Sequence, residues 1–317
     1  MTTKGFPTTP IARLQGHSGP VHAVTFSAGS GQYVLTGCQD RRIRLFNPST
    51  GRLIQTYAAH GYEILDLAVS ADNARLASVG GDKTVFLWDV ATAQTQRRFA
   101  GHVGRVNACA FGGEDDSVVV SGSFDGTVKV WDTKSRSDKP IMSFSEAKDS
   151  VSSVAVWGHE VLAASVDGRV RVYDLAMGRV QVDVLPASVT SVVSAVAGDC
   201  YLASTLDSTL RLMDRASGKC LQTFKDGDFK NETYRIRSTL AMADSVVVSG
   251  GEDGSIFVWD VLSGELLHRL WQKEGGGSQN STTTKKDVVA AIAWNQLRKQ
   301  LVTADGSGEV VVWGLEE

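Results

Sequence analysis

A chain of 317 residues with net charge -3, 42% hydrophobic and 21% charged residues has the material for a large core and the balance of a globular protein. That charge gives no general attraction for phosphate backbones, so a nucleic-acid role needs a specific local site. Cys38, Cys109, Cys200 and Cys220 are scattered without a CxxC pair, which excludes a zinc-ligand spacing and a disulfide framework and leaves reduced packing residues as the expectation.

The first ten residues, MTTKGFPTTP, lack a charged segment followed by an apolar one, so they predict a short mobile tail (1–10) and no secretory leader. No later apolar run approaches the roughly 20 residues of a membrane-spanning helix. From Ile11 the chain reads as short β-strands joined by Gly, Asp and Asn turns, with no amphipathic helical period. IARLQGH (11–17) is a strand ending in Gly-His, and QDRRIRLFN (39–47) is a tight turn followed by a strand. EILDLAVS (63–70), RLASVGGDK (75–83) and VFLWD (85–89) give three strands. A turn, ATAQ, then leads into a fourth and exposed strand, TQRRFA (95–100).

The turn-and-strand phrase recurs as FDGTVKVWD (124–132), VDGRVRVYD (166–174), LDSTLRLMD (206–214), EDGSIFVWD (252–260) and a worn GSGEVVVWG (306–314). Its bulky residue falls at Phe46, Trp88, Trp131, Tyr173, Met213, Trp259 and Trp313, at intervals of 42, 43, 42, 40, 46 and 54. The stretched last interval contains GGGSQNSTTTKK (275–286), flexible by composition, a loop between units six and seven. Four-stranded units repeating every 40–45 residues or so are the mark of propeller blades. The expectation is an all-β, seven-bladed propeller of four-stranded antiparallel blades, a single domain over 11–317. The chain starts on a fourth strand and ends on a third, so Ile11–Gln15 is expected to pair with Val310–Trp313 and close the ring.

His60, Ser78 and Asp82 have the composition of a hydrolase triad. They recur as His102, Ser121 and Asp125, and partly as His17, Thr36 and Asp40. An enzyme needs one triad, whereas a repeat fold needs the same brace in every blade. Gly16-His17, Gly101-His102 and the near match Ala59-His60, together with Trp88-Asp89, Trp131-Asp132 and Trp259-Asp260, resemble the WD-repeat family over nearly the whole chain. The resemblance implies that each histidine sits between blades, bonded to the turn Asp and to the Ser/Thr that also meets Trp88 or Trp131. Asp253 and Trp259 are the corresponding brace residues of blade six. Ala163 and Ala203 stand in the Ser/Thr place of blades four and five, and Ser307 stands where the turn Asp of blade seven belongs.

The family's usual work is to hold proteins together, and the resemblance implies three positions per blade on the narrow top face. These are Pro20, His22 and Gln39; Glu63, Leu65 and Gly81; Arg105, Asn107 and Phe124; then Ser150, Ser152 and Val166; Ser188, Thr190 and Leu206; and Thr233, Arg235 and Glu252. Apolar residues mixed with charge suit a protein-binding surface, and Phe124 and Arg105 are the residues of the types that dominate interfaces.

HGYEILD (60–66), KDSVSSV (148–154), VDGRVRVYDL (166–175) and LDSTLRLMD (206–214) are similar to the mitogen-activated protein kinase organizer family of WD-repeat scaffolds. That resemblance implies a non-catalytic scaffold in nucleus and cytoplasm. Its implied partners are kinase-cascade components and spliceosomal proteins, among them a DEAH-type helicase and a G-patch protein. No cofactor or metal is implied. The Gly/Ser loop at 275–286 departs from the family pattern. Two other readings compete: an enzyme working in the propeller channel, and an RNA-contacting protein using Lys230, Arg235 and Arg237.

Overall fold

The computed structural model describes residues 5–273 and 284–315. Among them, strands form seven four-stranded antiparallel sheets, and the one helical element is a single 3-10 turn at Glu114–Asp116. The first complete blade runs Val21–Phe26, Val34–Cys38, Ile43–Phe46 and Leu53–Tyr57, each strand bonded to the next. Five further blades repeat this meander, beginning at Ile64, Val106, Val151, Val189 and Ser238.

The seventh blade closes the ring. Val289–Asn295, Gln300–Asp305 and Val310–Gly314 are completed by the N-terminal strand Thr9–Leu14. The register is Leu14 opposite Val310 and Arg13 opposite Val311, with a bulge at Ile11 that restarts the pairing at Pro10 and Trp313. The strand thus begins two residues earlier than the expected Ile11. Ordered structure begins earlier still. Phe6 is buried and stacks on His268 (5.7 Å) and on Trp294 (5.9 Å), so apolar burial holds down a segment that composition alone reads as tail. Of the expected loop, 275–283 lie outside the described residues. Residues 284–287 form a turn in which Thr284 Oγ1 donates to Asp287 Oδ2 at 2.8 Å.

Strand patterns follow from position in the blade. Val34–Cys38 and Ile43–Phe46 are buried at every residue because the blade is covered on both faces by its neighbours. The fourth strand Thr95–Ala100 alternates, since only one of its faces meets the next blade. The core accordingly lies between blades. Ala77, Val79, Val85, Leu87 and Phe99 of blade two pack on Val106, Cys109, Val119 and Trp131 of blade three. Equivalent clusters join every neighbouring pair around the circle, including blade seven to blade one through Val302, Val310, Val24 and Val34. The first strands of adjacent blades contact one another and line the central channel.

Among the described residues no helix is long and apolar enough to cross a membrane. Cys38, Cys109, Cys200 and Cys220 are all free, and burial pushes the Cys38 and Cys200 thiols up to about 12, which removes thiolate reactivity.

Candidate functional site

The triad-like groups come together, but inside the wall. His60 Nδ1 meets Asp82 Oδ2 at 2.5 Å and Nε2 meets Ser78 Oγ at 2.7 Å. Ser78 is fully buried, and Trp88 Nε1 donates to its Oγ at 2.7 Å. A hydroxyl shared between an imidazole and an indole N–H has no open side for a carbonyl carbon, so the arrangement braces the blade and offers no nucleophile. Blade three repeats it, with His102 to Asp125 at 3.1 Å, His102 to Ser121 at 2.8 Å and Trp131 to Ser121 at 2.8 Å. In blade one His17 meets Thr36 at 2.7 Å and Asp40 at 3.1 Å, with Phe46 in the indole's place.

The remaining blades replace the histidine. Asp167 takes Arg171 at 2.7 Å and Asp207 takes Arg211 at 2.6 Å, both four residues along; Arg44 adds the same contact to Asp40 at 2.6 Å. The Asp-x-x-x-Arg spacing was legible in the sequence as the signal for this substitute. In blade seven Thr303 Oγ1 donates to Gln272 Oε1 at 2.5 Å and itself accepts from Trp313 Nε1 at 2.8 Å. Asp305 caps the turn there through the amides of Ser307 and Glu309. Blade six departs from expectation. Asp253 pairs with Arg269 at 3.0 Å on the outer strand, and Trp259 Nε1 has no acceptor. Phe229 fills the space a histidine would take, edge-on to Trp259 at 5.2 Å, and a phenyl ring brings no acceptor with it.

These carboxylates and imidazoles carry a pH response. Burial lowers the His17 and His102 pKa below 6.5, despite their aspartates. Burial opposes ionisation of Asp125, but hydrogen bonds from Thr127 and the Val103 amide and the His102 charge outweigh it and bring its pKa from 3.8 to about 2. In both cases the unfolded chain takes up protons that the folded one refuses. Stability is therefore full above 6.5, falls as pH drops through the folded histidine values, and falls again between 3.8 and about 2. Asp305, raised by burial, works in the opposite sense over its own window. The urea midpoint should drop between about pH 7 and pH 5, and His102→Gln, which imitates blade seven, should flatten the slope. A midpoint constant over that range contradicts the brace as described.

Among the described residues two groups bring potential metal-ligand atoms within 4.8 Å: His17, Cys38 and Asp40, and His159, Glu160 and Asp174. In the first, the Arg44 guanidinium already occupies the cationic place beside Asp40; in the second, Glu160 is held by Arg215 at 2.6 Å.

The top-face positions are built by one repeated backbone bond. The residue before the turn Asp donates its N–H to the carbonyl of the loop residue preceding the first strand of its own blade. The pairs are Gln39 to Pro20 (2.9 Å), Gly81 to Glu63 (3.0 Å), Phe124 to Arg105 (2.9 Å), Val166 to Ser150 (2.9 Å) and Leu206 to Ser188 (2.9 Å). Each pair lies side by side at the rim. Gln39, Arg105, Phe124 and Val166 are exposed there, and the Arg105 guanidinium lies 5.1 Å from the Phe124 ring centre. In blade six the partner of Glu252 is Lys230 (3.2 Å), not the expected Thr233. Extra residues there form a loop, and Glu252 Oε1 accepts the amides of Glu232, Thr233 and Tyr234.

The middle position of the sets in blades two to five is not on the surface. Leu65, Asn107, Ser152 and Thr190 are buried in the first strands, each at the bulge where the strand begins and where neighbouring first strands crowd around the channel. Asn107 Nδ2 donates to Ser150 Oγ at 2.9 Å and Val151 O at 2.8 Å, joining two blades. His22 is partly covered and faces Glu63 at 3.7 Å. Arg235 lies deeper, in the channel mouth with His22, Glu63, Leu65, Arg105, Asn107 and Arg237, around a cavity of about 260 Å³. Two rim residues escaped the sequence reading, Tyr62 (64% exposed), two residues after His60, and Val103 (78% exposed), directly after His102. Gly81 makes room for Tyr62: a Cβ at residue 81 would stand 2.7 Å from the Tyr62 Cβ.

The WD domain, G-beta repeat pattern matches residues 8–47, 51–89, 93–132 and 218–260. The chain is 42% identical over 307 residues to WD repeat domain-containing protein 83 of Rattus norvegicus, covering 97% of this chain and 92% of that protein. It is 43% identical over 307 residues to the Homo sapiens protein of that name, with the same coverage. It is 30% identical over 334 residues to the Dictyostelium discoideum homolog, covering 96% and 97%. With its blades, braces and near full-length relatives in place, the chain belongs to the WD-repeat family.

Proposed function

We propose that this protein is a non-catalytic scaffold that assembles multiprotein complexes through the top rim of its propeller. The observation that carries this is the exposed group Tyr62, Val103, Phe124 and Arg105 on the rim of blades two and three. Exposed aromatics and arginine are the residues that dominate interface energetics, and here they adjoin on one rim. The finer reading is service in pre-mRNA splicing complexes, in kinase cascades, or in both, in nucleus and cytoplasm. It is supported by the family resemblance in the repeats and by full-length similarity to the WD repeat domain-containing protein 83 group. A DEAH-type helicase, a G-patch protein and kinase-cascade components are the partners this reading names.

The test is affinity purification with mass spectrometry on the wild type and on a Phe124→Ala, Arg105→Glu double variant. Both side chains are exposed, so the variant should keep its melting temperature and lose a major partner at least tenfold. A folded double variant that retains every partner overturns the rim assignment. Spliceosomal proteins without kinases in the wild-type eluate would select the first role, and the converse the second.

A further inference from the structure

The mouth of the central channel is far more basic than the protein as a whole. Arg105, Arg235, Arg237 and Lys285 line the cavity, against Glu63 as its one lining carboxylate among the described residues, in a chain of net charge -3. Glu63 is engaged by His22 at 3.7 Å. Arg237 is neutralised from behind: its Nη1 meets Asp66 at 2.7 Å and its Nη2 donates to Leu65 O at 3.0 Å. Arg235 has no such relief. Its Nε is sealed from solvent without an acceptor, and no hydrogen bond or ion pair among the described residues reaches its guanidinium. Burial first, and then the charge of Arg237, pull its pKa down to about 9. An arginine is ordinarily charged at any accessible pH, so this marks a guanidinium short of a counter-charge.

We propose that the channel mouth is an anion site, in which Arg235, with Arg105 and Lys285, receives a single carboxylate or phosphate group carried on a segment of a partner protein. Arg235 is half-buried, and a guanidinium whose Nε is sealed without an acceptor while its outer nitrogens face the cavity is costly to the free protein; an oxyanion there supplies both charge and bidentate acceptors. The size of the cavity limits the occupant. At about 260 Å³ it falls below the roughly 300–1,000 Å³ of small-molecule and cofactor pockets, and it suits one side-chain head group. Its surroundings favour a protein carrier over a nucleic acid. The rim beside it presents the Phe124 ring and Val166, while Glu63 lies at the mouth, so a polyanionic backbone would find the positive charge confined to a pit.

This inference rests on the top rim being the partner-binding face, but it can be tested without any partner. The assay is thermal unfolding of the full chain at constant ionic strength, with chloride exchanged for phosphate, for phosphoserine or for N-acetylglutamate. Phosphate also stabilises proteins by exclusion from their surfaces, so the quantity read is the difference between proteins. Wild type and an Arg298→Gln control, altered at an exposed site in blade seven, should gain roughly 2–4 °C from a saturating anion beyond the gain of Arg235→Gln. Should Arg235→Gln fail to fold, Lys285→Gln, at an exposed position, takes its place with a reduced response. A response to phosphoserine alone selects a phosphorylated segment, and one shared with N-acetylglutamate selects an acidic segment. Equal responses in wild type and Arg235→Gln overturn the site, as does tighter binding of a single-stranded RNA 12-mer than of phosphoserine. If the anion response is absent while the Phe124→Ala, Arg105→Glu protein still loses its partners, the anion site fails and the scaffold face stands. The reverse pair of results separates them the other way.

Discussion

Asp66→Ala is expected to lower the stability of the folded protein by about 3–5 kcal/mol, read as a fall in the urea midpoint with an unchanged slope. Asp66 is 4% exposed, and both of its oxygens are engaged. Its Oδ1 takes the Leu67 amide at 2.7 Å and Arg237 Nη1 at 2.7 Å, and its Oδ2 takes the Cys109 amide at 3.0 Å. It thereby ties blades two and three to each other and, through Arg237, to blade six across the channel. Removing it strands a second guanidinium beside Arg235. The loss comes mostly from the charge left behind, so Asp66→Leu combined with Arg237→Leu should recover much of it. A single Asp66→Ala variant that loses less than about 1 kcal/mol, or a double variant worse than the single, would show that the cross-channel pair is not a structural tie.

The second large effect belongs to Trp131→Ala. Trp131 is fully buried, packs on Phe99 at 5.6 Å and fills the space between blades two and three. Truncating such a side chain costs about 3–5 kcal/mol in lost transfer and cavity terms. The hydrogen bond separates from the packing by a comparison within the same molecule. Trp131→Phe removes packing and the donor to Ser121, whereas Trp259→Phe removes packing alone, because Trp259 Nε1 has no acceptor. Trp131→Phe should therefore cost about 1 kcal/mol more than Trp259→Phe in chemical denaturation. Equal costs would mean that the indole–hydroxyl–imidazole chain contributes nothing beyond shape.

Much of this architecture was readable residue by residue. The bulky residue at Phe46 through Trp313 recurs because each blade must bury one large side chain against its neighbour, and the turn Asp recurs because each tight turn needs local acceptors. Those demands are local and repeated, so one sequence suffices to see them. The substitutes were harder. Arg171 and Arg211 stand in for histidine at a spacing that can be recognised once blade one shows Arg44 beside Asp40. Gln272 stands in for histidine inside the longest interval between repeats, just ahead of the 275–286 stretch that interrupts the register. In blade six the extra loop residues broke the spacing rule, which is why Thr233 was expected where Lys230 stands. Leu65 and Asn107 were assigned to the top face by their distance from a histidine, but each is the unpaired residue of a bulge at the start of a first strand, where the crowded channel wall covers it.

What the sequence by itself determined is the frame: seven units, four strands each, closed by the N-terminal strand, because a two-residue strand period and a repeat near 42 residues are properties of the chain alone. What only the tertiary structure decided is which side chains meet inside the ring. Asp66 and Arg237 are 171 positions apart in sequence and 2.7 Å apart in space (237 - 66 = 171). No periodicity predicts which charges face each other across a closed circle, because that depends on how blades two, three and six converge on the axis. The same closure places Arg235 in the channel mouth beside Arg105, where no described residue hydrogen-bonds or ion-pairs with its guanidinium.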